Sequence, residues 1–80
     1  MQDLARLRWR CRRGTKELDL LLGTFLEQHG PRLTAEQRAD FDHLLEQPDD
    51  LLQSWLLYGD PVPLPRLVPL VQTIREAHTP

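Results

Sequence analysis

The chain has 80 residues, a formal net charge of −2, 40% hydrophobic and 28% charged residues, and one cysteine. That length admits one small domain, near the limit at which a single core offsets chain entropy, so residues 1–80 are expected to form a single unit. One cysteine excludes an intrachain disulfide framework, no signal-peptide pattern is present, and the longest apolar run, Leu20-Leu21-Leu22, is far short of the ~20 residues of a membrane span. The expectation is a soluble cytoplasmic protein.

The first segment is basic. Residues 1–17 hold six basic residues against two acidic ones, a charge of +4, and the rest of the chain carries −6. A basic end on an acidic body suggests a region that seeks an anionic surface or cofactor; alternatively, the arginines neutralise the chain's own acidic helices. Arg6 to Arg12 alternate as a strand would, but Leu4, Leu7 and Cys11 also fall on one helical face, and no later stretch offers a partner strand. Residues 3–12 therefore read as a helix, ended by a turn at Arg13-Gly14.

The second helix is marked by Leu18, Leu21, Leu22, Phe25 and Leu26 at i, i+3, i+4, i+7 and i+8. Thr15 is placed as its N-cap, Glu17 and Asp19 sit in the turn that favours acids, and Gly30-Pro31 is read as its stop. Gly23 inside it costs about 1 kcal/mol against alanine and suggests close packing of a neighbour. Thr34-Ala35-Glu36-Gln37 reads as a capping box opening a third helix, with Phe41, Leu44 and Leu45 apolar and Asp40, Asp42 and Glu46 facing water. Pro48-Asp49 opens a fourth, with Leu51, Leu52, Trp55 and Leu56 as its buried stripe and Gly59 as its end. Asp60 to Pro65 is proline-rich and reads as an extended crossing. In the last helix Leu67, Leu70, Val71 and Ile74 keep helical spacing around Pro69, which is tolerated only in a first turn. That helix is expected to reach about Glu76, with Ala77 to Pro80 frayed. The fold class is all-α, a small helical bundle.

Little in the sequence supports side-chain catalysis. His29, His43 and His78 lie in separate segments, and no catalytic, cofactor-binding or metal-ligating residue is predicted. His43 and Glu46 share an i, i+3 face and read as a surface contact. Cys11 beside Arg10 and Arg12 reads either as a reactive thiol or, given its spacing with Leu4 and Leu7, as a buried inert one. Gly14 stands alone, so no phosphate-cradling loop exists and tight nucleotide binding by this chain is not expected. Nucleic acid remains the rival ligand, through Arg6, Arg8, Arg10, Arg12 and Arg13 with Trp9 stacking on a base, although the acidic body opposes it. Trp55 reads as core. Trp9 lies off the apolar face among arginines and reads as a partly exposed interface anchor. Glu17 serves the helix dipole, pairs with Arg13, or contacts a partner.

The stretch Trp9 to Asp19 contains Arg13-Gly14-Thr15-Lys16-Glu17, an Arg-Gly-x-x-Glu motif, flanked by Trp9, Cys11-Arg12 and Leu18-Asp19. It resembles the succinate dehydrogenase flavinylation factors, also called FAD assembly factors. The resemblance extends to Phe25, Leu33, Glu36, Phe41, Leu44-Leu45, Asp49, Leu52, Trp55 and Val71/Ile74, and departs from the family pattern at Pro65 and Pro69. It implies a bundle of five helices and, without a mitochondrial presequence, a bacterial member. It further implies a non-enzymatic chaperone that binds the flavoprotein subunit of succinate dehydrogenase, and often of fumarate reductase, and promotes covalent attachment of FAD to a histidine of that subunit. The FAD is held by the partner, and this chain is expected to be a monomer that binds no cofactor tightly and no nucleic acid. Carried over by position, Arg13, Gly14 and Glu17 form the partner-binding surface, with Trp9, Arg12 and Asp19 beside them. Members have also been labelled antitoxins, a reading with no physical support in the residues.

Overall fold

The computed structural model describes residues 4–78; the expected helix start at Asp3 and the tail residues Thr79 and Pro80 lie outside them. Among the described residues there are five α-helices and no strand: α1 (Leu4–Arg10), α2 (Lys16–His29), α3 (Ala35–Leu45), α4 (Asp49–Leu56) and α5 (Val68–His78). Short 3-10 turns at Gly30–Arg32 and Pro65–Leu67 lead into α3 and α5. Among the described residues no helix is long and apolar enough to cross a membrane.

The fold is built around α2 and α5. All five residues of the α2 stripe are buried, as are Leu67, Leu70, Val71 and Ile74 at the other side of the same core. Helix α2 packs on α1 and α5, and α5 in turn contacts α3 and α4, so the remaining helices are arranged around this pair. Phe25 of α2 stacks on Phe41 of α3, with ring centroids 5.9 Å apart and planes 15° apart. Each such side chain contributes roughly 1.5–3 kcal/mol by leaving water. Leu7, Cys11 and Trp55 are buried as their spacing predicts.

Several boundaries differ from the sequence reading. Helix α1 ends at Arg10 rather than residue 12, with the Cys11 and Arg12 N–H groups donating to Leu7, Arg8 and Trp9 carbonyls in a tightening last turn. Gly30 does not stop α2 sharply: its φ is −50°, and the chain continues into a 3-10 turn. Thr15 occupies the N-cap position of α2 but makes no side-chain cap, whereas the Thr34–Gln37 capping box is formed in both directions. Leu51 is not part of the α4 stripe; it is 38% exposed, because Leu52, Trp55 and Leu56 already define the inward face and an adjacent residue points about 100° away. Pro69 is accepted in the first turn of α5, but the helix runs on through Ala77 to His78, past the expected end at Glu76.

Candidate functional site

The turn between α1 and α2 brings the motif residues together. Gly14 has φ +85°, a left-handed conformation that L side chains rarely adopt, while a Cβ there would meet nothing within 4 Å. Its glycine is therefore required by the turn, and the space above it is open. Asp19, one turn into α2, accepts the Arg13 backbone N–H at 2.6 Å and so closes the turn onto the helix.

Arg13 itself points inward. Its Nη1 donates to the Leu45 carbonyl at 2.6 Å, its Nη2 to the Gln47 carbonyl at 2.8 Å, and its Nε to Asp49 Oδ1 at 2.7 Å. These acceptors are the last carbonyl of α3, a carbonyl of the turn that follows it and the first carboxylate of α4, so one guanidinium closes the end of α3 and joins it to the start of α4. A weaker contact reaches the Arg10 carbonyl at 3.4 Å. The Arg13 side chain is only 16% exposed. Arg10 pairs with Asp42, which fastens α1 to α3, and Arg66 pairs with Asp40. The Arg13 side chain thus has internal partners, as the reading of arginines that neutralise the chain's own acidic helices expects. One expectation is corrected: Asp40 and Asp42 face arginines rather than open water.

The other motif residues remain outward. Trp9 is 70% exposed, and the Arg12 guanidinium carbon lies 5.6 Å from its ring centroid, a cation–π pair that holds both in one arrangement. Glu17 is exposed and forms no ion pair among the described residues; Arg13 takes Asp49 as its carboxylate instead. Arg6, Arg8 and Lys16 are also exposed and unpaired among the described residues. The structure thus divides the six predicted residues: Arg13 and Asp19 hold the turn, Gly14 permits it, and Trp9, Arg12 and Glu17 present groups to solvent.

Beneath this face lies Cys11, which is 2% exposed. Burial pushes its thiol up from 9.0 to about 12, against the lowering influence of Arg13, so the sulfur is a protonated, inert part of the core. His43 and Glu46 make only a long 3.4 Å surface contact. Clefts of about 150, 380 and 240 Å³ lie elsewhere, against α5 and its leading turn, and no motif residue lines them. The motif surface is an open face that suits another macromolecule better than an enclosed small ligand.

Sequence reasoning missed the Arg13 clamp and the exposure of Leu20, which is 61%. The clamp had one legible signal: Glu46-Gln47-Pro48 supplies no glycine or asparagine to cap α3, so its carbonyls need a donor from elsewhere. Leu20 lies off the α2 stripe, which marks it as outward.

Comparison with known proteins places these features. Residues 5–78 match the family described as flavinator of succinate dehydrogenase. The chain is 43% identical over 74 residues to an FAD assembly factor SdhE of Legionella pneumophila (strain Paris), covering 92% of each. It is 50% identical over 52 residues to that of Coxiella burnetii, covering 65% of this chain and 63% of the relative, and 36% identical over 75 residues to that of Shewanella oneidensis, covering 94% and 92%. No solved structure matches. The chain belongs to the family of succinate dehydrogenase flavinators.

Proposed function

From that membership we propose that the chain binds the flavoprotein subunit of succinate dehydrogenase, and of fumarate reductase by the same chemistry, and promotes covalent attachment of FAD to a histidine of that subunit. It acts as a monomer on FAD held by the partner and contributes no reacting group of its own. The observation that carries this reading is the exposed set Trp9, Arg12 and Glu17, free of intramolecular ion pairs among the described residues yet mounted on a turn that Arg13 and Asp19 lock.

Attachment requires the partner's histidine to meet the flavin 8α-carbon while negative charge grows on the ring, so alignment and electrostatics set its rate. A rigid face that grips the flavoprotein serves alignment, because misplacement of reacting atoms by about 1 Å costs on the order of a hundredfold in rate. Glu17, Trp9 and the Arg12 guanidinium hold orientation, the Arg13–Asp49 clamp preserves it, and the basic surface of α1 favours an acidic docking region on the partner. The rival nucleic-acid reading loses ground, because Arg10 and Arg13 are committed to Asp42 and Asp49 and leave fewer free cations for a polyanion.

The test is in-gel flavin fluorescence of the denatured flavoprotein subunit after incubation with FAD and the factor. Wild type should raise covalent flavin well above the level without it, and Trp9→Ala and Glu17→Ala should return it to that level while melting normally. Normal flavinylation by both folded variants sinks the assignment of this face.

A further inference from the structure

The outward side of α2 carries two features the fold does not require. Gly23 lies inside the helix, where glycine is a poorer helix former than alanine, yet a Cβ at that position would meet nothing within 4 Å. No neighbour in the chain takes the space it leaves. Leu20, three residues earlier, is 61% exposed, and Glu17 lies three residues before that. At this spacing Glu17, Leu20 and Gly23 step along neighbouring positions of the outward helix surface, and Lys16, Thr24 and Glu27 around them are exposed too. A single exposed leucine is ordinary on a protein surface. Here it is followed on its own face by a glycine without internal purpose and preceded by the motif's carboxylate, which makes a protruding side chain beside a bare stretch of helix backbone.

We propose that Leu20 and Gly23 form a second contact with the flavoprotein partner, Leu20 entering an apolar recess and Gly23 letting the partner's chain lie against the α2 backbone; this rests on the reading that the partner is that flavoprotein. The contact is continuous with Glu17, so one partner covers both. Towards the motif, the exposed Arg6, Arg8, Arg12 and Lys16 on α1, its turn and the start of α2 call for carboxylates on the partner, while the exposed Glu17 and Glu27 on the face itself call for donors or cations beside the recess. A second copy of this chain fits less well, because three carboxylates of its acidic body, Asp40, Asp42 and Asp49, are already paired with Arg66, Arg10 and Arg13. The glycine is then a case of stability given up for binding.

Titration of the purified flavoprotein subunit with Leu20→Asp and Gly23→Ala, with melting curves alongside, tests this. Leu20→Asp should melt as wild type and bind about tenfold or more weakly. Gly23→Ala should melt higher by about 3–6 °C and also bind about tenfold or more weakly, a pairing that a purely structural glycine does not produce. Leu51→Asp and Tyr58→Asp, on other exposed surface, should leave affinity unchanged. If Glu17→Ala loses binding while Leu20→Asp and Gly23→Ala both bind within about twofold of wild type, the motif reading stands and this contact is overturned. Absence of binding by wild type overturns both. A wild-type dimer in sedimentation that Leu20→Asp converts to monomer, with flavoprotein affinity intact, assigns the face to a second copy and also overturns the proposal, and a lowered melting point for Gly23→Ala returns that glycine to the fold and removes it from the contact.

Discussion

At the turn before α2, the left-handed Gly14 follows an arginine whose guanidinium closes the end of α3; at the turn after α4, the left-handed Gly59 (φ +74°) precedes Asp60, whose carbonyl, with that of Trp55, is closed by Arg75 at 2.9 and 2.6 Å. The two turns share their devices. Each uses glycine to reverse the chain and an arginine to satisfy carbonyls at or just past a helix end, the arginine adjoining the glycine at the first turn and the carbonyls flanking it at the second. What surrounds them differs. Around Gly14 stand an exposed tryptophan, a guanidinium stacked on it and an unpaired carboxylate, while around Gly59 the chain leaves in prolines, with Val62 and Leu64 partly buried against the core. The motif's arginine and glycine therefore explain the turn, and the exposed residues beside them distinguish the end proposed to meet the partner from the other.

The largest effects should come from the arginines. Arg13→Ala leaves two helix-end carbonyls and Asp49 without their donor and should cost about 2–4 kcal/mol, seen in thermal or urea unfolding. Arg75→Ala should cost about 1–3 kcal/mol by the same mechanism. An Arg13→Ala protein that melts like wild type breaks the comparison, because the clamp would then not hold the turn.

Next come the glycines. Both Gly14→Ala and Gly59→Ala should lower stability by about 1–2 kcal/mol, since each forces a side chain into left-handed backbone. The comparison is sharpened by normalising flavinylation to the folded fraction: it should remain wild type for Gly59→Ala and fall for Gly14→Ala, where open space awaits the partner. Equal normalised activity would make Gly14 a turn residue and nothing more.

A pH dependence belongs to the first turn. With the Cys11 thiol raised from 9.0 to about 12, the folded chain holds a proton that the unfolded chain releases in this range. Stability from this group is therefore complete below about pH 9 and lost as pH rises towards 12, at about 1 kcal/mol per pH unit. Urea unfolding of wild type against Cys11→Ala should converge as pH rises across that window. Parallel curves would mean the thiol is not as shielded as its burial indicates.

These expectations divide along the line between what the sequence discloses and what it does not. The stripes of α2 and α5 were legible because burial repeats with the helical period, and the Thr34–Gln37 box because its reciprocal bonds span three residues. The partners of Arg13 were not legible because its acceptors lie 32 to 36 residues away, and no local pattern encodes which carbonyls fold back onto it. Leu51 was misassigned because it lies about 100° from the middle of the arc that Leu52, Trp55 and Leu56 bury, just past its edge, and an apolar residue at such an edge carries no local sign of which way it turns. Trp9 was legible for the opposite reason: an aromatic ring off the apolar face, between arginines, has no place in a core.

The smallest stability effects should belong to the residues proposed to contact the partner. Trp9→Ala, Arg12→Ala and Glu17→Ala should each unfold within about 0.5 kcal/mol of wild type, since all three side chains are exposed and none forms an ion pair among the described residues, yet weaken flavinylation. Tyr58→Ala, equally exposed beside Gly59, should change neither.

Amide hydrogen exchange of this chain, free and bound to the flavoprotein subunit, tests the distinction between the two ends most directly. Slowed exchange on binding is expected across residues 9–24, from Trp9 through the first turns of α2, with residues 56–65 exchanging as in the free chain. Protection concentrated at residues 56–65 and along α5, with none at 9–24, would contradict the account.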